Sequence, residues 1–133
     1  MNFFTQRHST CQIFYSSTIF GDNIIDVGAH IGTFSIPFSK FNGANGTIYS
    51  FEANPNNYKL LGANIVENNV GSTVIPHLSI VSDEKSTFKM MLPYGGNSGM
   101  YTFLPDENSQ RPNEFCINLD VWHDENHKEV PIH

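Results

Sequence analysis

Two acidic residues and a pair of glycines carry the chemistry that this sequence offers. Asp26 precedes Gly28 and Gly32 in the stretch "NIIDVGAHIGTFS", and Glu52 lies further along in "TIYSFEANP". Glycines at this spacing predict a tight turn, because a residue without a Cβ atom accepts positive φ and lets a ligand approach its backbone. The helix expected after the turn would offer unpaired N–H groups. Glu52 could accept two hydrogen bonds from a ribose diol. The pattern predicts a site for a small polar ligand.

The glycine spacing distinguishes between nucleotide ligands. A dinucleotide fingerprint needs G-x-G-x-x-G and a phosphate loop needs G-x-x-x-x-G-K-[ST], whereas this chain has G-A-H-I-G shortly after an aspartate. A carboxylate beside the turn repels a pyrophosphate but can hold an ammonium group. A nucleoside with an amino-acid tail meets both demands, and S-adenosylmethionine is such a molecule. Two alternatives stay open: Asp26 only caps the following helix, and Gly28 only serves the turn. A nicotinamide-binding oxidoreductase is disfavoured by the spacing.

The segments around these residues predict alternating strands and helices. Apolar residues at 24, 25 and 27 are typical of a parallel strand covered on both faces, and residues 48–52 form a second strand. Between them, phenylalanines at three- and four-residue spacing predict a helix over 33–41 whose aromatic stripe faces the core: Phe34, Phe38 and Phe41. Pro55 marks the start of a second helix. This alternation predicts an α/β fold in which Asp26 and Glu52 share one crevice beyond the strand ends.

The rest of the chain predicts further β structure. "TVIPHLSIVSD" reads as a third strand that Pro76 bends or confines, and "EKSTFKMML" as another. "PYGGNSGM" is typical of a loop. "EFCINLDVW" predicts one more strand, followed by a polar connection, "HDENHKEVP". His123 and His127 in that connection lack a third ligand at a convincing spacing, so no metal site is predicted.

Composition excludes several partners. The 133 residues carry a net charge of −6, with 7 basic and 13 acidic side chains, and no basic run, so a nucleic acid is a disfavoured partner. No apolar run approaches the ~20 residues that a membrane-spanning helix requires. Cys11 and Cys116 are isolated and are expected to be reduced thiols. Without a recognisable secretory signal, a cytoplasmic location is expected.

Several of these segments, in order, resemble one known family. "IIDVGAHIGTFS", "GTIYSFEANPNNYKLLGANIVENN", "HLSIVSDEKS", "GGNSGM" and "INLDVW" are similar to FkbM-like S-adenosylmethionine-dependent methyltransferases. The resemblance implies a Rossmann-like class I methyltransferase fold, a parallel sheet flanked by helices, and methylation of a hydroxyl on a small molecule or glycan. It implies three sets of cofactor contacts: Asp26, Gly28, Ala29, His30 and Gly32 on the methionine side, Glu52 with Ala53 and Asn54 at the ribose, and Ser79 near the adenine.

The same resemblance implies an incomplete domain. The family continues after "LD" into a strand of the type I-K-I-D-x-E-G, and "KEVPIH" resembles only the approach to it. The expected organisation is an arm over residues 1–20 and the N-terminal part of the methyltransferase domain over 21–133, with the C-terminal strands missing. Such a sheet would expose an edge, which favours self-association or a complementary chain. A truncated, non-catalytic cofactor-binding or interaction fragment is therefore the alternative function, and no catalytic base is predicted.

Overall fold

A three-stranded parallel sheet forms the centre of the molecule. The structure, a computed structural model, describes residues 21–83, 88–91, 102–105 and 116–127. The sheet has the order β1-β2-β3, with β1 at Ile24–Val27, β2 at Ile48–Glu52 and β3 at Val74–Leu78. Helix α1, Ser35–Asn42, connects β1 to β2, and helix α2, Pro55–Glu67, connects β2 to β3. The predicted alternation of strands and helices is confirmed.

Shorter elements follow the central sheet. Strand β4, Ile80–Val81, pairs in parallel with β7, Cys116–Ile117, and β5, Phe88–Met91, pairs antiparallel with β6, Thr102–Pro105. Strand β5 was expected from the sequence, whereas β6 was not. The predicted arm over 1–20 and the glycine-rich loop over 93–100 lie outside the described residues. None of the helices in the described ranges combines the length and apolarity needed to cross a membrane.

The central sheet separates two apolar cores. The first core consists of Ala29, Ile48, Leu61, Ile65 and Val74, and includes residues of α2. The second core lies on the opposite face, where Ile25 and Phe51 pack against Leu119. Because side chains alternate along a strand, Asp26 shares its face with Ile24, and Ser50 and Glu52 share theirs with Ile48. The polar residues of β1 and β2 therefore point toward the helices α1 and α2.

The prediction of a strand and a polar connection is wrong for residues 118–127. Of the described residues in this stretch, Cys116–Ile117 form a strand. Helix α3, Leu119–Asn126, then replaces the later part of the expected strand and part of the polar connection. The Asn118 side chain accepts hydrogen bonds from the N–H groups of Asp120 at 3.0 Å and Val121 at 3.2 Å, which caps the helix. Leu119 and Trp122, three positions apart, both pack on the second core. This burial outweighs the β propensity of the segment.

The buried face of α1 is more polar than the sequence suggested. Phe41 is 50% exposed and Phe38 is only partly buried, so the predicted aromatic stripe is wrong at Phe41. The residues that α1 buries instead are Ser35, Ile36, Ser39 and Asn42. Ser35 bonds to Asp26 and Ser50 on the sheet, and Ser39 bonds to a carbonyl oxygen within the helix. A phenylalanine side chain could make no such hydrogen bonds.

Pro76 lies within β3, at an outer edge of the central sheet. Directly after β3, the Ser79 N–H donates to the Glu52 carbonyl oxygen of β2 at 3.0 Å. In a parallel ladder such donors alternate along the strand, so the missing N–H of Pro76 falls on the side away from β2. The sequence prediction that Pro76 confines this strand agrees with its edge position.

Candidate cofactor-binding site

The turn between β1 and α1 is tied to the end of β2. The N–H groups of Gly28 and Ala29 both donate to the Phe51 carbonyl oxygen, at 2.8 and 3.0 Å, and the Gly32 N–H donates to the Ala29 carbonyl oxygen at 2.8 Å. Three residues of the turn have positive φ: Gly28 at 79°, His30 at 55° and Gly32 at 94°. The sequence prediction of a tight glycine turn is confirmed.

The two glycines of the turn have different surroundings. A Cβ atom at Gly28 would meet no atom of the described residues within 4 Å, whereas a Cβ at Gly32 would lie 2.8 Å from Ile36 Cδ1 and 3.0 Å from Leu61 Cδ1. Gly28 therefore borders open space that a ligand can enter, and Gly32 makes room for close packing of α1 and α2. Ala29 is 3% exposed in the first core, so only its backbone is left to contact a ligand.

Glu52 joins the turn after β1 to the turn after β2. Its Oε2 atom accepts a hydrogen bond from the His30 N–H at 2.7 Å, and its Oε1 atom accepts one from the Asn54 N–H at 2.8 Å. The side chain is buried, with 7% exposed. A carboxylate has about four acceptor positions, so two bonds leave capacity for the hydroxyls of a ribose. The positive φ of His30 is part of the backbone geometry that brings its N–H to Glu52.

Asp26 faces the start of α1. Its Oδ2 atom accepts a hydrogen bond from Ser35 Oγ at 2.5 Å, and the Ser35 backbone also bonds to the carboxyl group. Burial, and to a smaller extent the nearby Glu52 carboxylate, raise the pKa of Asp26, while the Ser35 hydrogen bonds oppose that rise. The structure thus brings Asp26 and Glu52 near each other. Asp26 also bonds to the first residue of α1, so the alternative in which it serves the start of this helix stays open.

Asn54 begins α2 and carries a buried donor beside Glu52. Its Oδ1 atom accepts from the Asn56 N–H at 2.9 Å, but its Nδ2 atom has no partner among the described residues. Asn54 is 1% exposed, and a buried donor without an acceptor is costly. An oxygen of a bound ligand would satisfy it. Ala53 lies between Glu52 and Asn54 and is half-buried, and the backbone of Ser79 contacts that of Glu52.

Two serines near Asp26 were missed by the sequence analysis. Ser35 Oγ and Ser50 Oγ lie 2.7 Å apart, and both residues are fully buried. Two signals were present in the sequence: Ser50 lies two positions before Glu52 on the same strand face, and Ser35, Ser39 and Asn42 recur at helical spacing. Within the described part of the chain, no three His, Cys, Asp or Glu side chains are arranged to hold a metal ion.

The fold and the glycine turn define the class of this protein. A parallel β1-β2-β3 sheet with flanking helices is the Rossmann-like arrangement of class I methyltransferases. The sequence model of the TRM5/TYW2 methyltransferase domain matches residues 8–92 of the chain. The chain belongs to this methyltransferase family. S-adenosylmethionine is therefore its cofactor, as the sequence predicts. The match supports the methyltransferase class and does not single out the FkbM-like branch.

Solved structures of other proteins are similar to about half of this chain. No curated protein matches the chain. A protein described as an rRNA methylase from Clostridium thermocellum is 17% identical over 45% of this chain and 32% of that chain, with a TM-score of 0.44. An S-adenosylmethionine-dependent methyltransferase from Aquifex aeolicus is 18% identical over 50% of this chain and 33% of that chain, with a TM-score of 0.40. The chain matches about a third of the length of each.

Proposed function

We propose that the turn after β1 and the end of β2 form the cofactor-binding part of an S-adenosylmethionine-dependent methyltransferase. The observation that carries this proposal is the Glu52 carboxylate, which the N–H groups of His30 and Asn54 fix at the carboxyl end of the sheet. The same turn leaves open space at Gly28. A ligand entering there meets a fixed, charged acceptor and the buried donor of Asn54.

The proposed roles follow from charge and hydrogen-bonding capacity. Glu52 accepts the ribose hydroxyls, and Asp26 provides negative charge for the cationic amino-acid end. Ala53, Asn54 and Ser79 lie beside Glu52, as the resemblance to FkbM-like enzymes implies for the ribose and adenine. When bound, the cofactor supplies an activated methyl group on a sulfonium. The protein's own contribution is to bind and orient this group against an acceptor.

We propose a hydroxyl on a small molecule or glycan as the acceptor. Its supports are the resemblance to FkbM-like enzymes and the charge balance, since 7 basic against 13 acidic side chains suit a phosphate backbone poorly. RNA is the second candidate, because the family favours RNA methylation. Incubation of the chain with S-adenosylmethionine labelled in its methyl group, with either glycans or total RNA as acceptor, separates the two. Label in RNA alone would overturn the hydroxyl proposal.

The cofactor proposal is tested by titration with S-adenosylhomocysteine in a calorimeter. Glu52→Gln replaces one carboxylate oxygen with a donor and removes the negative charge. We expect it to weaken binding by about tenfold, the scale of one hydrogen bond to a charged group. Glu67→Gln is the matched control, because Glu67 is exposed at the end of the same helix that follows Glu52. Its affinity should equal that of the wild type.

Two results would count against this function. If the protein is folded by circular dichroism and millimolar ligand releases no heat, the chain has no such cofactor site. Equal affinities of Glu52→Gln and wild type would remove Glu52 from it. Binding without methyl transfer to either acceptor class would instead favour the alternative of a non-catalytic cofactor-binding or interaction fragment.

We also propose that the chain associates through β1, either with a second copy or with a complementary chain. Among the described strands, β1 pairs on one side only, with β2. An open strand edge offers unpaired N–H and C=O groups to another strand. We propose a cytoplasmic setting, supported by the two isolated cysteines, and cell fractionation tests it.

A further inference from the structure

A chain of buried hydroxyl groups ends on the carboxylate of Asp26. Ser35 Oγ donates to Asp26 Oδ2 at 2.5 Å, and Ser50 Oγ lies 2.7 Å from Ser35 Oγ. A hydroxyl has a single proton to donate. Because Ser35 gives its proton to the carboxylate, Ser50 must donate to Ser35. The hydrogen bonds are therefore donated in one direction, from Ser50 to Ser35 and from Ser35 to Asp26.

This chain joins three elements around the glycine turn. Ser50 lies in β2, Ser35 is the first residue of α1, and Asp26 lies in β1. The turn that includes Gly28 lies between Asp26 and Ser35, so the chain fixes its two ends relative to each other. Glu52 holds the middle of the same turn through the His30 N–H. The backbone that faces the open space is thus held at both ends and in between.

We infer that Ser35 and Ser50 are positioning residues of the cofactor site. Their hydroxyls hold the Asp26 carboxylate in one orientation and in its charged form, in which it attracts the cationic end of the cofactor. This inference rests on the proposed function, because it assigns the serines a role in binding and not only in folding.

The surroundings of Asp26 explain why such support is needed. Burial and the Glu52 carboxylate both raise the pKa of Asp26, and the hydrogen bonds from Ser35 act in the opposite direction. Glu52 is the titratable group that faces Asp26 from β2. The turn carries His30, and α1 carries only Lys40, in its last turn. Without the serine hydroxyls, Asp26 would take up a proton at a higher pH and lose its charge.

Ser39 provides a matched control for these serines. It lies one turn further along α1, is 5% exposed, and its Oγ atom donates to the Ile36 carbonyl oxygen at 2.6 Å. Ser39→Ala therefore removes a buried hydroxyl from the same helix without touching the chain to Asp26. Ser35 and Ser50 are equally buried, at 0%. If the two serines have a purely structural role, their replacement by alanine should change the affinity for the cofactor similarly. If the hydrogen bonds lead from Ser50 through Ser35 to Asp26, the change should be larger at Ser35.

The experiment measures the affinity for S-adenosylhomocysteine by calorimetry between about pH 5 and 8. We expect Ser35→Ala to bind roughly tenfold more weakly at pH 7, Ser50→Ala roughly threefold, and Ser39→Ala as the wild type does. Acidification should weaken binding in both proteins. We expect this loss of affinity to begin at a higher pH in Ser35→Ala than in the wild type. Ser35→Thr keeps the hydroxyl and should restore the wild-type pH profile.

The outcomes separate this inference from the function on which it rests. If the wild type binds and Ser35→Ala matches Ser39→Ala in both affinity and pH profile, the serines have no positioning role. If the folded wild type does not bind, the proposed function itself is wrong. If Ser35→Ala does not fold, the affinities of Ser50→Ala and Ser39→Ala are compared instead. Equal affinities of these two variants would overturn the inference.

Discussion

Gly28 and Gly62 both have room for a methyl group, but their backbones differ. A Cβ atom at either position would meet nothing within 4 Å, yet Gly28 has a φ of 79° in the turn while Gly62 lies in α2. We expect Gly28→Ala to lower the free energy of unfolding by about 1–2 kcal/mol, the cost of a left-handed backbone for a residue with a Cβ. Gly62→Ala should raise it by about 0.5–1 kcal/mol, because alanine favours a helix.

Urea unfolding of the two variants isolates the backbone contribution, since neither substitution creates a clash. Equal changes in stability would contradict the assignment of Gly28 to a strained turn. At the residue scale, glycine is required at 28 for its backbone conformation, and at 32 for both conformation and space. Of the two positions, only Gly28 borders open space for a ligand.

At the scale of elements, aromatic residues attach α3 to the sheet. The Trp122 ring packs edge-on against Tyr49 and Phe51, with both pairs of ring centroids 5.1 Å apart, and against His77 at 5.5 Å. His77 stacks on Phe51 at 4.7 Å, and His127 lies against Tyr49 and Trp122. Two histidines thus contribute to a cluster that includes three larger aromatic rings.

The docking of α3 is expected to weaken in mild acid. Burial, and then the nearby His127, lower the pKa of His77, so the folded protein resists a proton that the unfolded chain accepts. The stabilisation is present above the unfolded pKa of about 6.5 and is lost as the pH falls below it. His77→Phe removes the titrating group and its buried Nε2 atom, which has no partner among the described residues. The variant should therefore lose less stability than the wild type between about pH 7 and 5.

Urea unfolding at several pH values measures this effect, and His123→Gln in α3 serves as the control for a histidine outside the ring cluster. If the free energy of unfolding changes with pH in His77→Phe as it does in the wild type, His77 is not the group responsible for the pH dependence. The cluster lies on the sheet face opposite Asp26 and Glu52, so the prediction concerns the attachment of α3 and is independent of the cofactor proposal.

At the scale of the whole molecule, the two edges of the central sheet are unlike. The Ile24 N–H donates to the carbonyl oxygen of Thr47, just before β2, and the Gly28 N–H donates to that of Phe51 in β2. The alternation of a parallel ladder therefore turns the N–H groups of Ile25 and Val27 outward. On the other edge, Pro76 removes an outward donor from β3. Proline at an edge opposes strand pairing, and the β1 edge carries no such block.

Val27→Pro should reduce association through β1, because it removes an outward N–H without removing a bond to β2. Size-exclusion chromatography over a tenfold or greater range of protein concentration is the measurement, with circular dichroism to confirm folding. Pro76→Val is the matched control, since it alters only the opposite edge. A wild type that elutes as a monomer at every concentration would contradict self-association, and unchanged oligomers in Val27→Pro would place the contact elsewhere.

The central βαβαβ unit could be predicted from the sequence, because its signals are local. These signals lie within or next to the elements that they delimit: apolar runs, the glycines at 28 and 32, and the proline at 55. The approach of Asp26 to Glu52 could also be predicted, since parallel strands bring their carboxyl ends to one edge. Helix α3 was missed because the residues that stabilise it, Phe51 and His77, are far from it in sequence.

The sequence by itself determined the class of fold, the glycine turn and the pair of carboxylates, since these depend on short-range pattern and on the direction of parallel strands. Tertiary structure alone decided which face of α1 is buried, that Gly32 serves packing and that Ser35 and Ser50 lead to Asp26. The physical reason is that a hydrogen bond or a close contact depends on the distance between atoms of different elements. Such distances are set only when the helices pack on the sheet.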